Sequence, residues 1–374
     1  MTPLVKLGMP KWGLSMKEGR LVAWLVDEGA EIVAGEGVAE VETEKINGVV
    51  EAPAAGTLLR RVGREGTVIP VGGLVGVIGD PATPAAEVDA LVADFEATFV
   101  PEDEADEGQA TETATVDGRT LRYLRAGEGD EVVVLVHGFG GDMTSWLFNQ
   151  GALAEERTVY AVDLPGHGGS TKEVGRADVA TLAAAVDGLL EALGVQDAHL
   201  VGHSLGGAVA AQLAAQSPGR VRSLVLIAPA GLGAEINAGY VEGFIMANSR
   251  RELKPVLEQL FADPSLVTRQ MSEDVLRAKR LDGAQEALRA IADASYPSGR
   301  QIVDVRGAIA AAGVPVSVIW GAGDRIVSSS HVENLPDHVR VTVIEGQGHS
   351  PHMEAAGEVN RAIGEFLATV AARR

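Results

Sequence analysis

Residues 198–207 read A-H-L-V-G-H-S-L-G-G. Ala198–Val201 has the length and apolar character of a buried strand, and Leu205–Gln216 follows with helical spacing. Gly202-His203-Ser204-Leu205-Gly206 between them fits G-x-S-x-G, in the strand–turn–helix setting that gives the motif chemical meaning. The glycines permit a sharp turn that lifts Ser204 Oγ clear of the sheet and aims the first turn of a helix at it. A merely structural glycine–serine turn is the plainer reading. The strand and helix on either side weigh against it.

Outward from this stretch the same alternation repeats. Val132–Val136, Thr158–Val162, Val221–Ile227, Val314–Trp320 and Val339–Ile344 are near-continuous apolar runs, interleaved with helical patterns such as Val179–Leu193 and Val359–Ala372. Strands apolar on both faces that alternate with helices predict a mostly parallel sheet covered on both sides. Asp117-Gly118 between β-like runs predicts a hairpin ahead of it. From about 231 to 313 strand signals stop and the sequence is mostly helical, which predicts a cap over the site. Two basic clusters lie there, Arg250-Arg251-Lys254 and Arg277-Lys279-Arg280. They read first as solvated helix faces and second as a seat for the phosphates of a nucleotide-bearing substrate.

A serine nucleophile needs a base, and the base needs an orienting carboxylate. Of eight histidines, His349 lies in G-Q-G-H-S-P-H-M-E just past the last strand, at the sheet edge where Ser204 also falls. His352 competes but is expected to start the final helix and face elsewhere, and the turn is expected to direct His203 away. Asp324, in W-G-A-G-D-R-I-V, directly follows the strand ending at Trp320. The order Ser204, Asp324, His349 is that of the G-x-S-x-G hydrolases. Asp163 also ends a strand and is expected to stabilise its loop, with a substrate contact as the second reading. The oxyanion donors are expected to be the backbone N–H groups of Leu205 and of Phe139 in H-G-F-G-G. These parts together resemble the α/β-hydrolase superfamily over residues 114–374. The motif set is specific for that fold and not for one reaction.

The rest of the chain is organised differently. Its 374 residues carry a net charge of −21 and 46% hydrophobic residues, enough for more than one cored domain. Such acidity argues against nucleic acid and anionic membranes as partners. The lack of cysteine excludes disulfides, thiolate metal sites and a cysteine nucleophile. No apolar run is long enough to span a membrane and the first residues lack a signal-peptide core, so a cytoplasmic protein is expected. Residues 81–115 hold 10 acidic and no basic side chains, close to half the net charge. This segment reads as an acidic linker over 81–113 between a small module, 1–80, and the large domain, 114–374. Within it Val88, Leu91, Val92, Phe95 and Phe99 form one helical stripe. The plainer reading is a short helix packed on one of the chain's own domains; the sharper one is a docking helix for a partner subunit.

In the small module, residues 19–41 match residues 56–78 at a constant offset of 37: Gly19 with Gly56, Leu21 with Leu58, Ile32 with Ile69, Val41 with Ile78. Short β-runs broken by glycine turns, twice over, predict two similar β-layers packed face to face. Between the halves, Val38–Thr43 and Ile46–Glu51 read as a hairpin with Glu44-Lys45 at its tip. Lys45 is the only basic residue between Arg20 and Arg60. A lone turn lysine is ordinarily a solvated charge, but an exposed amine on a rigid tip also suits a covalently attached arm. With Gly56 eleven residues on, the module resembles the lipoyl domains of 2-oxo-acid-type dehydrogenase complexes, small flattened all-β barrels. Glu-Lys-Ile stands where Asp-Lys-Ala is usual. The methionines that flank the lysine in biotin-carrying domains are absent. The resemblance implies lipoate attached to Lys45.

The two halves together resemble the acyltransferase component of bacterial acetoin dehydrogenase complexes over nearly the whole chain. The His-x-x-x-Asp-Gly motif of the usual acyltransferase domain is absent. The resemblance implies acetyl transfer from the lipoyl arm to coenzyme A through Ser204, His349 and Asp324. It also implies a thiamine-diphosphate-dependent acetoin-cleaving component and a dihydrolipoamide dehydrogenase as partners, around a homo-oligomeric core. Two alternatives remain: a lipoyl-linked thioesterase or esterase, and a scaffold that only binds partners.

Overall fold

The 37-residue repeat builds the first of two compact units, residues 1–109 and 110–374. The computed structural model describes residues 4–10, 12, 16–43, 47–99 and 111–372. The first unit contains β1 (Val5–Gly8), β2 (Glu18–Trp24), β3 (Glu31–Ile32), β4 (Gly37–Glu42), β5 (Asn47–Glu51), β6 (Gly56–Arg61), β7 (Val68–Pro70) and β8 (Leu74–Gly79). They form two four-stranded sheets, β1-β8-β6-β3 and β5-β4-β2-β7. Equivalent strands of the repeats occupy equivalent places: Leu21 pairs with Val41 in one sheet and Leu58 with Ile78 in the other, all four fully buried. The repeats are not one layer each, however. β3 crosses to the sheet of the second repeat and β7 to that of the first. Each sheet thereby closes an edge that its own half leaves open, which an offset in sequence does not reveal. The matched glycines are forced by close approach. A β-carbon on Gly19 would fall 2.5 Å from Val41 Cγ1, and one on Gly56 2.9 Å from Ile78 Cγ2.

The stripe in the acidic segment forms α1 (Ala85–Thr98). Val88 packs with Leu74 and Val77 of β8, flanked by Leu91, Val92 and Phe95, and Arg60 pairs with Asp89 at 2.8 Å. The apolar face is thus used inside this unit, as the plainer reading expects.

In the second unit the hairpin β9 (Glu112–Val116) and β10 (Arg119–Ala126) turns at Asp117-Gly118, both at positive φ. Then come β11 (Val132–Val136), α2 (Gln150–Leu153), β12 (Thr158–Val162), α3 (Val179–Ala192), β13 (Ala198–His203), α4 (Leu205–Gln216) and β14 (Val221–Ile227). A helical insertion follows: α5 (Ala238–Met246), α6 (Arg250–Leu257), α7 (Arg269–Lys279), α8 (Ala284–Ser295) and α9 (Val305–Ala312). The unit closes with β15 (Val316–Gly321), β16 (Arg340–Ile344), α10 (Pro351–Glu354) and α11 (Ala356–Ala371). The sheet order is β16-β15-β14-β13-β11-β12-β10-β9. All neighbours from β12 to β16 are parallel; β10 is antiparallel to β9 and β12. Side chains alternate between two cores. Val134 and Val136 enter the one beneath α3, α4 and the insertion, and Val133 and Leu135 the one beneath α2 and α11. Burial on both faces is why these strands read as unbroken apolar runs. The strand order reverses between β13 and β11, the switch point at which a crevice opens beyond the carboxyl ends of the strands.

Leu58→Ala should cost about 2–5 kcal/mol, most of the stability of so small a unit. Calorimetry should show the transition of the first unit shifted down or lost while that of the second stays in place. Loss of both transitions together would contradict independent cores.

Candidate active site

Ser204 sits at φ 52°, ψ −117° between β13 and α4, a conformation rarely adopted by a residue with a side chain. Glycines make the turn possible by close approach. A β-carbon on Gly202 would fall 2.3 Å from the Gly206 carbonyl oxygen, and one on Gly206 2.1 Å from that of Val136. One on Gly138 would fall 3.1 Å from Ser204 Cβ, so the loop after β11 lies against the nucleophile. The Leu205 N–H occupies the first position of α4, where a helix has no internal acceptor. Among the described residues the Phe139 N–H has no hydrogen-bond partner either. Both amides are therefore available to an oxyanion, and the helix N-terminus reinforces them.

Asp324 follows β15 and His349 follows β16, at the same carboxyl edge. His349 Nδ1 donates to Asp324 Oδ2 at 2.7 Å, which leaves the Nε2 lone pair as the base. Burial would raise the Asp324 carboxyl. The His349 imidazole and its hydrogen bond, with the backbone N–H groups of Val327 and Ile326 at 3.0 and 2.7 Å, outweigh this and hold it below the ordinary carboxylate value. Oδ2 also accepts from the Trp320 indole N–H at 2.9 Å. The sequence reading did not assign Trp320 a role; its only signal is its place four residues before the aspartate.

Two other expectations change. His203 is not directed away from the site. Its Nε2 donates to the His349 carbonyl oxygen at 2.9 Å and its ring lies 4.8 Å from the His349 ring, so it ties the nucleophile turn to the base loop. His352 does not start the final helix, which begins at Ala356; it lies in the short α10 ahead of it, enclosed between Trp146 and His203, at 4.8 and 4.4 Å between ring centroids. Burial, with a smaller push from the neighbouring His349, lowers its imidazole to about 3. His352 is thus a neutral wedge, while His349 alone reaches Asp324. Asp163 is structural: its carboxylate accepts from the N–H groups of Met143 and Gly169. His137 joins the same framework, donating from Nδ1 to the Gly138 carbonyl and accepting from the Leu164 N–H.

The insertion is fastened to both triad loops at one turn. Arg325 donates to the carbonyls of Glu258 and Phe261. The half-buried Glu354 carboxylate accepts from Gly348 N at 2.8 Å and Ala262 N at 2.6 Å. Of the basic clusters, Arg250 and Arg251 are exposed as the first reading has it, but Lys279 is only 4% exposed. The stem of Lys279 faces the core and its ammonium reaches the carbonyls that end α5.

In the first unit, β4 and β5 pair down to Glu42 opposite Asn47. Lys45 and Glu44 lie outside the described residues. Among the described residues no cluster suited to a metal ion is found, and no helix is long and apolar enough to cross a membrane.

The fold and the elbow define an α/β-hydrolase scaffold, preceded in sequence by a separate small β unit. Residues 131–356 match the alpha/beta hydrolase fold family and residues 5–78 the family described as biotin-requiring enzyme. A meta-cleavage product hydrolase from Pseudomonas fluorescens IP01 superposes with a TM-score of 0.63 at 25% identity, over 69% of this chain and 97% of that one. A bacterial membrane phospholipase A superposes with a TM-score of 0.62 at 27% identity, over 77% and 96%. Similarity along nearly the full chain is found elsewhere. The dihydrolipoyllysine-residue acetyltransferase component of the acetoin cleaving system of Cupriavidus necator is 47% identical over 97% of both chains. Its counterpart from Pseudomonas putida is 49% identical over 98% of this chain and 99% of its own. The chain belongs to this family of acetoin-cleaving-system acetyltransferase components, built on the α/β-hydrolase fold.

Trp320→Phe keeps the packing and removes one donor to an ionised carboxylate, a loss of about 1.5–3 kcal/mol. Its kcat/KM should fall about 10- to 100-fold; unchanged kinetics would show that the indole only fills space. The depressed Asp324 carboxyl contributes stability that is complete above its unfolded value, about pH 4, and is lost as pH falls through the lower native value. The melting-temperature gap between the wild type and Asp324→Asn should therefore hold from neutral pH down to about pH 4 and narrow only below it.

Proposed function

We propose that this chain transfers an acetyl group from a dihydrolipoyl arm on Lys45 to coenzyme A, with Ser204, His349 and Asp324 as the catalytic residues. The carrying observation is a small lipoyl-type β unit and a nucleophile elbow with an acid–base pair on one chain, a chain 47–49% identical to the acetoin-cleaving relatives over nearly its whole length. A lipoyl group on Lys45 would supply a thiol that carries the acyl group as a thioester.

The chain's own residues account for the chemistry. Ser204 Oγ attacks the thioester carbonyl as His349 Nε2 takes its proton. The Leu205 and Phe139 amides receive the oxyanion, a contribution of about 100-fold or more per donor. The C–S bond breaks, and His349 returns the proton to the leaving sulfur. The Ser204 acetyl ester then meets the coenzyme A thiol. His349 takes the thiol proton, the sulfur attacks, and Ser204 leaves as its hydroxyl is restored. Asp324 holds the imidazole in the tautomer that both half-reactions need and stabilises it when charged. Trp320, by sharing Asp324 Oδ2, fixes the carboxylate plane.

As a component of an acetoin cleaving system the chain works with other components. We take these to be a thiamine-diphosphate-dependent acetoin-cleaving enzyme and a dihydrolipoamide dehydrogenase, in the cytoplasm, around a homo-oligomeric core of this chain.

Purified protein given acetyl-dihydrolipoamide and coenzyme A should form acetyl-CoA with little free acetate. Acetate formed equally with and without coenzyme A would make water the acceptor and the chain a thioesterase. Ser204→Ala should lose about 10³-fold or more in kcat, and full transfer by that variant would sink the acyl-serine route. Lys45→Arg should retain transfer from free acetyl-dihydrolipoamide and lose the activity of the assembled complex.

A further inference from the structure

The buried Lys279 and the aromatic group beside the oxyanion loop have no part in the chemistry above. Lys279 is only 4% exposed, and Glu252 is the carboxylate that acts on it, without a direct ion pair among the described residues. Burial pushes its ammonium down to about 8. A lysine placed so is costly unless its donors are satisfied. Here they are satisfied by the carbonyl oxygens of Phe244, Ile245 and Ala247, the unpaired end of α5. The ammonium also lies 5.2 Å from the centroid of the Phe244 ring. Lys279 therefore fixes one turn of backbone and the aromatic side chain that the turn carries.

That ring, 2% exposed, sits on the loop that holds the oxyanion. A β-carbon on Gly140 would fall 2.3 Å from Phe244 Cζ, so ring and loop backbone are in direct contact. Phe139 meets Phe244 edge-on at 5.8 Å and Tyr296 at 6.2 Å. When a thioester carbonyl oxygen points at the Phe139 and Leu205 amides, the acyl chain leaves the same carbon and must run beside this loop. Ser204 is itself only 7% exposed, so the acyl group is enclosed by protein where it meets the nucleophile.

The geometry points to Phe244, clamped by Lys279 and backed by Phe139 and Tyr296, as the determinant of acyl length: it closes the acyl pocket beyond a methyl group. This inference rests on the reading of Ser204 as the acyl-accepting residue. Methyl-scale discrimination in an apolar pocket is worth about 10- to 200-fold per methylene, so a rigid aromatic wall suffices to separate acetyl from longer acyl groups.

The test uses the full-length protein with acetyl-, butyryl- and hexanoyl-dihydrolipoamide, each with coenzyme A. Donor consumption, acyl-CoA and free acid are followed separately. The wild type should consume the acetyl donor at least about 100-fold faster than the butyryl donor, in kcat/KM. Phe244→Ala should raise the butyryl-to-acetyl ratio at least about 10-fold, and Phe244→Leu, which keeps more volume, should raise it less. Lys279→Met should shift the ratio the same way. A wild type that takes hexanoyl as readily as acetyl would overturn the inference. So would variants that lose all three donors in equal proportion, as a structural role alone requires. Donor consumption reports acylation whichever acceptor follows. Failure of the transferase reading would show separately, as free acid in place of acyl-CoA.

Discussion

The backbone of Ser204 is the constraint on which the catalytic unit depends. Its positive φ is a strained state that costs about 1–3 kcal/mol and persists only where the surroundings over-determine it. The surroundings do so from several sides. The Ser204 N–H donates to Ile227 at 2.9 Å, and its carbonyl accepts from Gly207 and Ala230 at 3.0 Å. Gly202 and Gly206 let α4 start so close to β11 that no side chain fits between them. The same packing sets the Leu205 amide next to the loop of Phe139, so the strained turn that carries Ser204 also brings together the two amides proposed as oxyanion donors. Two cores, one on each face of the sheet, keep β11, β13 and β14 from relaxing away from the turn.

Around the turn, positioning is shared among groups with no chemistry of their own. His203 anchors the backbone of His349, Trp320 holds the carboxylate of Asp324, and Arg325 with Glu354 fastens both loops to one turn of the insertion. Burial keeps His203 and His352 neutral, which spares the imidazolium of His349 a like charge beneath it. The cap is therefore part of the catalytic framework at this edge. The carrier unit meets a different problem. Its strands are two to seven residues long and each repeat alone leaves an open edge. Exchange of β3 and β7 between the sheets closes those edges, and α1 covers the outer face of β8.

Much of this was legible in the sequence where chemistry and local pattern coincide. Ser204 announced itself through glycine spacing between a strand and a helix, and Asp324 and His349 through their places just after apolar runs. The helix Leu205–Gln216 and the strands at 132–136, 158–162 and 221–227 form over the expected residues, since apolar periodicity is a local property. The α1 stripe was legible too, and its choice of partner fell to the plainer reading. Lys279 was misread as solvated, because a basic cluster on a helix carries no mark of which member turns inward.

The sequence by itself determined the two-part plan, the repeat and the parallel sheet, and it singled out Ser204, Asp324 and His349 as the candidate nucleophile and acid–base pair. Each of these follows from spacing along the chain. Only the tertiary structure decided which strands exchange between the carrier sheets, where His203 and His352 point, and what Trp320, Glu354 and Lys279 hold in place. Those outcomes depend on contacts between segments far apart in sequence. There, burial and the need to satisfy every buried donor and acceptor select one arrangement, and the local pattern permits several.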